Sequence, residues 1–145
     1  MKYSYDDLKL SVEPCEWNRN SPKEILQYAV GALLYSPATN TKIATDIIEK
    51  KNSKIKSLCL CLEDAIGDDA VKQAELCLKD TLHQLYVAVE EGKLTINEIP
   101  LIFIRVREPK QVSRIYRICG TRNFSMVTGF NLPKFNKDNG DAHLE

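Results

Sequence analysis

The sequence has no long hydrophobic run and no excess of charge of either sign. Its apolar stretches have the length of strands, whereas a membrane-spanning helix needs about 20 predominantly apolar residues. Lysine and arginine together number 20, as do aspartate and glutamate, so the formal net charge is zero. Residues 1–7 are acidic and lack the apolar core of a secretory signal. We therefore expect a cytoplasmic protein that binds neither nucleic acid nor membranes.

Histidine is scarce, and the cysteines follow no metal-binding spacing. There are two histidines, His83 and His143, and five cysteines with no C-x-x-C pair, so no structural zinc site is predicted. Cys59 and Cys61 lie two residues apart on one apolar stretch, too close for an ordinary disulfide, and we expect reduced thiols. The sequence also lacks a G-x-G-x-x-G motif, a Walker lysine motif and a nucleophile elbow.

What the sequence does contain is an alternation of apolar, strand-length stretches with amphipathic, helical ones. The predicted strands are residues 32–37, 57–62, 100–106 and 126–132. Strands that alternate with helices predict a parallel sheet with right-handed crossovers, hence an α/β fold. Four such strands can form a small open sheet. They are also half of a (βα)₈ TIM barrel, which normally needs roughly 250 residues.

The segment boundaries follow from turn and capping residues. Residues 1–20 are predicted to be an N-terminal extension, 21–135 the half-barrel (βα)₄ domain, and 136–145 a polar tail. The first helix is predicted to begin with Ser21 as its cap, Pro22 at the first helical position and Glu24 closing a capping box. One of residues 39–41 is expected to cap the second helix.

The stretch 57–62 ends abruptly in two carboxylates. Strand geometry places its leucines on the helix-covered side and Cys59, Cys61 and Glu63 on the other side, with Asp64 just beyond. Chemistry in α/β proteins sits at this carboxyl end of the strands. The spacing is equally compatible with two roles for Glu63 and Asp64. They can belong to a functional site, or they can simply begin the next loop and cap the helix that follows.

Arg105 interrupts the next apolar strand near its carboxyl end. A charge there costs several kcal/mol unless it is paired. Arg105 can pair with Glu63 or Asp64 as a buried salt bridge, or bind an anionic substrate, and we favour the second role without excluding the first. Arg107 is interpreted as a surface residue. Lys134 is a third polar group at a strand end, with an exposed loop lysine as the alternative.

The ordered motifs resemble a known family. They are residues 33–39 with Tyr35-Ser36-Pro37, residues 59–65 with Leu62-Glu63-Asp64-Ala65, and residues 129–135 with Leu132-Pro133-Lys134. Together, over residues 21–140, they are similar to the N-terminal half of the HpcH/HpaI aldolase and citrate lyase β-subunit family, in the phosphoenolpyruvate/pyruvate-binding TIM-barrel superfamily. The likeness is greatest to the citrate-lyase-like C–C bond lyases encoded alongside bacterial tellurium-resistance and stress genes.

The resemblance implies a Mg²⁺-dependent lyase that cleaves a carbon–carbon bond in a small anionic metabolite, an oxo acid or an acyl thioester. It assigns Arg105 to the oxo and carboxylate oxygens of the substrate. It places Glu63 and Asp64 beside the metal, acting through water or neighbouring ligands. Pro37, Thr39 and Lys134 are predicted to contact the substrate.

The family's direct metal ligands come from later strands. We therefore expect the N-terminal half alone to be inactive, and its two open sheet edges to favour a homo-oligomer.

Three positions depart from the family pattern. Cys61 replaces the first aspartate of Asp-Leu-Glu-Asp, Arg107 replaces an asparagine, and the arginine that usually follows the first-strand proline, here Pro37, is missing. These departures weaken the prediction that the substrate is an acyl thioester. The alternative function is a non-catalytic α/β module that binds an anion or a partner. A phosphotransferase relative is a weaker alternative, because no histidine is well placed for phosphorylation.

Overall fold

The structure is a computed structural model that describes residues 15–134 and 140–141. The strands are β1 (Leu34–Pro37), β2 (Ser57–Cys61), β3 (Leu101–Arg105) and β4 (Val127–Asn131). The helices are α1 (Lys23–Ala29), α2 (Ile43–Ile48), α3 (Val71–Glu90) and α4 (Pro109–Phe124). Most of the predicted extension and of the predicted tail, and His143 with it, lie outside the described residues.

The four strands form one parallel sheet in the order β1-β2-β3-β4. This confirms the predicted α/β fold with crossover helices. Pro37, Cys61, Arg105 and Asn131 are in register across the sheet, so the last residues of all four strands lie along one edge. We call this the carboxyl edge.

Helices α2, α3 and α4 cover one face of the sheet. The leucines of β2 join α3 and α4 in a single core, as the strand alternation predicted. Its fully buried members include Leu60, Leu62, Leu78, Leu82, Leu85 and Ile115. Complete burial of each such side chain contributes about 1.5–3 kcal/mol. The opposite side, which we call the inner face, carries Tyr35, Cys59, Cys61, Phe103, Arg105 and Asn131.

The predicted helix caps differ from the structure. Pro22 is the N-cap of α1, and no side chain caps that helix, so the predicted capping box is wrong. The Ser21 hydroxyl instead accepts the backbone N–H of Asn18 at 3.0 Å, in the turn that precedes the helix. At α2, Asn40 Oδ1 accepts the N–H of Lys42 at 3.1 Å and no side chain caps the helix.

A glycine follows the end of α3, and another interrupts α4. Gly92 follows α3 with a φ of 71°, and Gly120 interrupts α4 with a φ of 72°. These left-handed conformations are accessible to glycine at little cost. Helical residues continue past Gly120 to Phe124, so Gly120 is a break within α4. Among the described helices, none is both long enough and apolar enough to cross a membrane.

Candidate active site

Three of the four charged residues predicted at strand ends, Arg105, Glu63 and Asp64, meet at the carboxyl edge. Arg105 Nη2 lies 2.6 Å from Glu63 Oε2 and 2.8 Å from Asp64 Oδ2. The side chain of Glu63 is 10% exposed, that of Arg105 21% and that of Asp64 61%. The predicted salt bridge therefore forms, between one arginine nitrogen and two carboxylates. Asp64 is the member of the cluster that faces solvent.

Lys134 extends this cluster. Its Nζ lies 2.9 Å from Glu63 Oε1, although the lysine side chain is 75% exposed. Each carboxylate oxygen of Glu63 is thus paired with a different cation. Burial raises the pKa of Glu63, but Lys134 and Arg105 outweigh it, and the net effect is a lowered pKa. Burial by itself would lower the pKa of the Arg105 guanidinium. The charges of Glu63 and Asp64 outweigh burial, so the net effect is a raised pKa.

The inner face adds two residues that the sequence reasoning did not single out. The Tyr35 ring lies beside Arg105, with the guanidinium carbon 5.9 Å from the ring centroid. Asn131 Nδ2 donates a hydrogen bond of 2.6 Å to the Tyr35 hydroxyl. Arg105 Nε is buried and has no hydrogen-bond partner among the described residues. The alternation of side chains along the strands could have predicted that Tyr35, Arg105 and Asn131 lie on one face of the sheet. It could not have predicted that they are in contact.

The described residues do not form a magnesium site on their own. They contain no group of three or more histidine, cysteine, aspartate or glutamate side chains placed to hold a metal ion. Both oxygens of Glu63 already contact cations, which makes this carboxylate a poor direct ligand. A role for Glu63 and Asp64 beside a metal, through water, stays a prediction.

A family model described as a C–C bond lyase of the TIM-barrel fold matches residues 24–145. The chain belongs to this family. Comparisons with curated proteins and with solved structures gave no significant match. The family assignment confirms the resemblance to a C–C bond lyase of the TIM-barrel fold. The four parallel strands correspond to half of a TIM barrel, and the Arg105 cluster lies where TIM-barrel enzymes carry their sites.

Pro37 and Thr39 lie at the same edge of this C–C bond lyase family member. Pro37 is the last residue of β1 and is exposed, whereas Thr39 is half-buried in the turn that follows. Within the described part of the chain, neither forms a hydrogen bond to Arg105, Glu63 or Asp64. Their predicted contact with substrate stays a prediction.

Arg107 lies past the end of β3 and its side chain is 28% exposed, so it reaches the surface only in part and is bound to a neighbouring loop. Its Nε donates to the carbonyl of Leu62 at 2.8 Å, and its Nη2 donates to the carbonyl of Ile66. Its Nη1 forms an ion pair with Asp68 at 2.5 Å. Because the loop that carries Glu63 and Asp64 runs between these partners, Arg107 fixes that loop against the end of β3. No residue pattern indicates this role in advance, since carbonyl acceptors have no sequence signature.

A second polar network ties α3 to α4 inside the helical layer. Glu75 is 4% exposed and accepts hydrogen bonds from Arg114 Nη2 at 2.6 Å and from Gln111 Nε2 at 2.7 Å. The sequence analysis did not predict this network. It lies between the first turns of the two helices, and Gln111 Oε1 also accepts the backbone N–H of Arg107 at 2.7 Å, so the network adjoins the end of β3.

A cavity of about 620 Å³ lies away from the Arg105 cluster. It is bounded by the segment before α1, by α2, and by the residues that precede β2 and β3; its lining includes Trp17, Leu34, Ile47 and Lys56. Its lining thus includes the segments that lead into the amino ends of β2 and β3. The candidate site is placed at the carboxyl edge, because paired charges lie there together with a guanidinium nitrogen that has no hydrogen-bond partner among the described residues.

Proposed function

We propose that these residues form the anion-binding part of a C–C bond lyase site that acts on a small oxo acid or acyl thioester. The observation that carries the proposal is the position of Arg105. Its guanidinium is held at the carboxyl edge by two carboxylates and remains partly exposed. The planar fork of arginine suits the two oxygens of a substrate carboxylate.

The difference in exposure between the two carboxylates gives them different roles. Glu63 is enclosed and bound on both oxygens, so it holds Arg105 in place. Asp64 is 61% exposed and touches the same arginine nitrogen at 2.8 Å. An incoming carboxylate can therefore displace Asp64 from Arg105 while Glu63 stays. The exposed ammonium of Lys134 adds a second positive charge beside the incoming anion.

The proposal that the lyase reaction requires Mg²⁺ rests on the family resemblance. When bound, such a cation acts as a Lewis acid that polarises a substrate oxygen. The described residues supply no ligand set for it, so we propose that Mg²⁺ binding and turnover need further groups. The 145-residue chain is then expected to bind the anion without cleaving it. Cleavage of a citryl or malyl thioester by this chain alone would contradict that expectation.

The test is a titration with pyruvate, followed through backbone amide chemical shifts, of the wild-type chain and of Arg105→Lys. Lysine keeps the charge but loses the fork, so the affinity for pyruvate should fall roughly tenfold, the effect of losing about one charge-assisted hydrogen bond. The matched control is Arg117→Lys, because Arg117 is exposed on α4. Equal affinities for the wild type and both variants would refute the assignment of Arg105.

A second candidate function is a non-catalytic module that binds an anion or a partner protein. The observation in its favour is that both oxygens of Glu63 are already neutralised by cations. Thermal stabilisation by pyruvate or oxaloacetate in the absence of any partner protein would favour the lyase site. Stabilisation by a partner protein alone would favour the module.

A further inference from the structure

Tyr35 reaches across the inner face from one edge strand to the other. It belongs to β1, and its hydroxyl accepts the hydrogen bond from Asn131 on β4 at 2.6 Å. Neighbouring strands lie about 4.8 Å apart, so three spacings separate β1 from β4 by about 14 Å in a flat sheet. A direct contact across that span shows that the sheet curves toward its inner face.

The Tyr35 side chain also covers the centre of this face. Its register partner on β2 is Cys59, which is fully buried although the helices pack on the opposite side. Burial raises the pKa of the Cys59 thiol to about 11. Tyr35 itself is 46% exposed, so its ring forms the boundary between the thiols below it and solvent above.

Tyr35 and Asn131 both adjoin Arg105. Asn131 is the register partner of Arg105 on β4, and the Tyr35 ring lies 5.9 Å from the guanidinium carbon. Among the described residues, the side-chain carbonyl of Asn131 receives no hydrogen bond. An amide N–H and a phenol O–H are donors suited to a neutral oxygen, whereas Arg105 is suited to a carboxylate.

We propose that Tyr35 and Asn131 bind the oxygen substituent next to the substrate carboxylate, and so select 2-oxo or 2-hydroxy acids over plain carboxylic acids. This inference rests on the proposed function, in which Arg105 holds the carboxylate. In the ligand-free protein the two side chains bond to each other. In the complex the Tyr35 O–H and the Asn131 N–H turn to donate to the substrate oxygen.

The test compares two acids that differ by a single oxygen, pyruvate and propionate. The wild-type chain should bind pyruvate roughly tenfold more tightly, the value of one well-placed hydrogen bond. Tyr35→Phe and Asn131→Ala should each abolish that preference by weakening pyruvate binding, with propionate binding unchanged. Tyr28→Phe is the matched control, because Tyr28 on α1 is 82% exposed.

The outcomes separate this inference from the proposed function on which it rests. If both acids bind in a manner that depends on Arg105 but Tyr35→Phe and Asn131→Ala keep the preference for pyruvate, the selection by Tyr35 and Asn131 is refuted and the anion site stands. An equal affinity of the wild type for both acids refutes it in the same way. If neither acid binds, the proposed function fails, and this inference fails with it.

The reactivity of Cys59 gives a check that needs no ligand. Tyr35→Phe keeps the ring and should leave Cys59 as protected from a thiol reagent as in the wild type. Tyr35→Ala removes the cover and should increase the labelling rate of Cys59, while exposed Cys15 labels at an unchanged rate. An unchanged Cys59 rate in Tyr35→Ala would refute the placement of Tyr35 over this face.

Discussion

Glu63 is the residue on which the charge balance of the carboxyl edge depends. It is nearly enclosed and joins two cations that start from different strands, Arg105 at the end of β3 and Lys134 after β4. Without it, Arg105 would keep Asp64 alone, a carboxylate that is mostly in solvent. The strand pattern of the sequence predicted that Glu63 points to the inner face, but not that it would bind two cations.

At the residue scale, Glu63→Gln should lower the free energy of unfolding by about 2 kcal/mol at pH 7, as expected for lost hydrogen bonds to charged groups. Because the pKa of Glu63 is lowered in the folded protein, its contribution is fully present above the ordinary value of 4.5. It is lost as the pH falls through the lowered value. Urea denaturation at several pH values should show wild type and variant converging in acid. A constant difference down to the lowest pH would contradict the ion-pair role.

At the scale of elements, the sequence predicted what depends on local pattern and missed what depends on distant partners. Strands β1 to β4 and their parallel arrangement followed from apolar runs separated by helical periods. The capping box of α1 failed because the Ser21 hydroxyl bonds Asn18 in the turn before it. Arg107 binds carbonyls about 40 positions away in the chain, and such contacts produce no recognisable spacing of residues in the sequence.

The network between α3 and α4 gives the prediction at this scale. Arg114→Met leaves the buried carboxylate of Glu75 without its cation. Breaking a fully buried pair costs about 3–5 kcal/mol, and because Arg114 is 40% exposed we expect about 2 kcal/mol by urea denaturation. Arg117→Met, an exposed position on the same helix, is the control and should change stability little. Equal stabilities of the two variants would show that the ion pair contributes nothing.

At the scale of the whole molecule, the sheet has two outer edges. Within the described residues, β1 pairs only with β2, and β4 pairs only with β3. An open strand edge is a template for pairing with another chain. In the TIM-barrel fold of the family, strands of this kind form a closed barrel, which has no open strand edges.

We therefore predict that the 145-residue chain forms a homo-oligomer in solution. Light scattering coupled to size exclusion should give a mass of at least twice the 16.5 kDa of the chain. A monomeric mass maintained at high protein concentration would contradict this prediction. The measurement is independent of any ligand.

The central claim is that the carboxyl edge, rather than the cavity near the amino ends of the strands, binds a small anionic metabolite. The most direct test is a map of backbone amide shifts on addition of pyruvate. We predict changes concentrated in residues 62–68, 105–107 and 131–134, around Arg105. Changes concentrated instead in residues 43–56 and 97–100, which border the cavity of about 620 Å³, would contradict it.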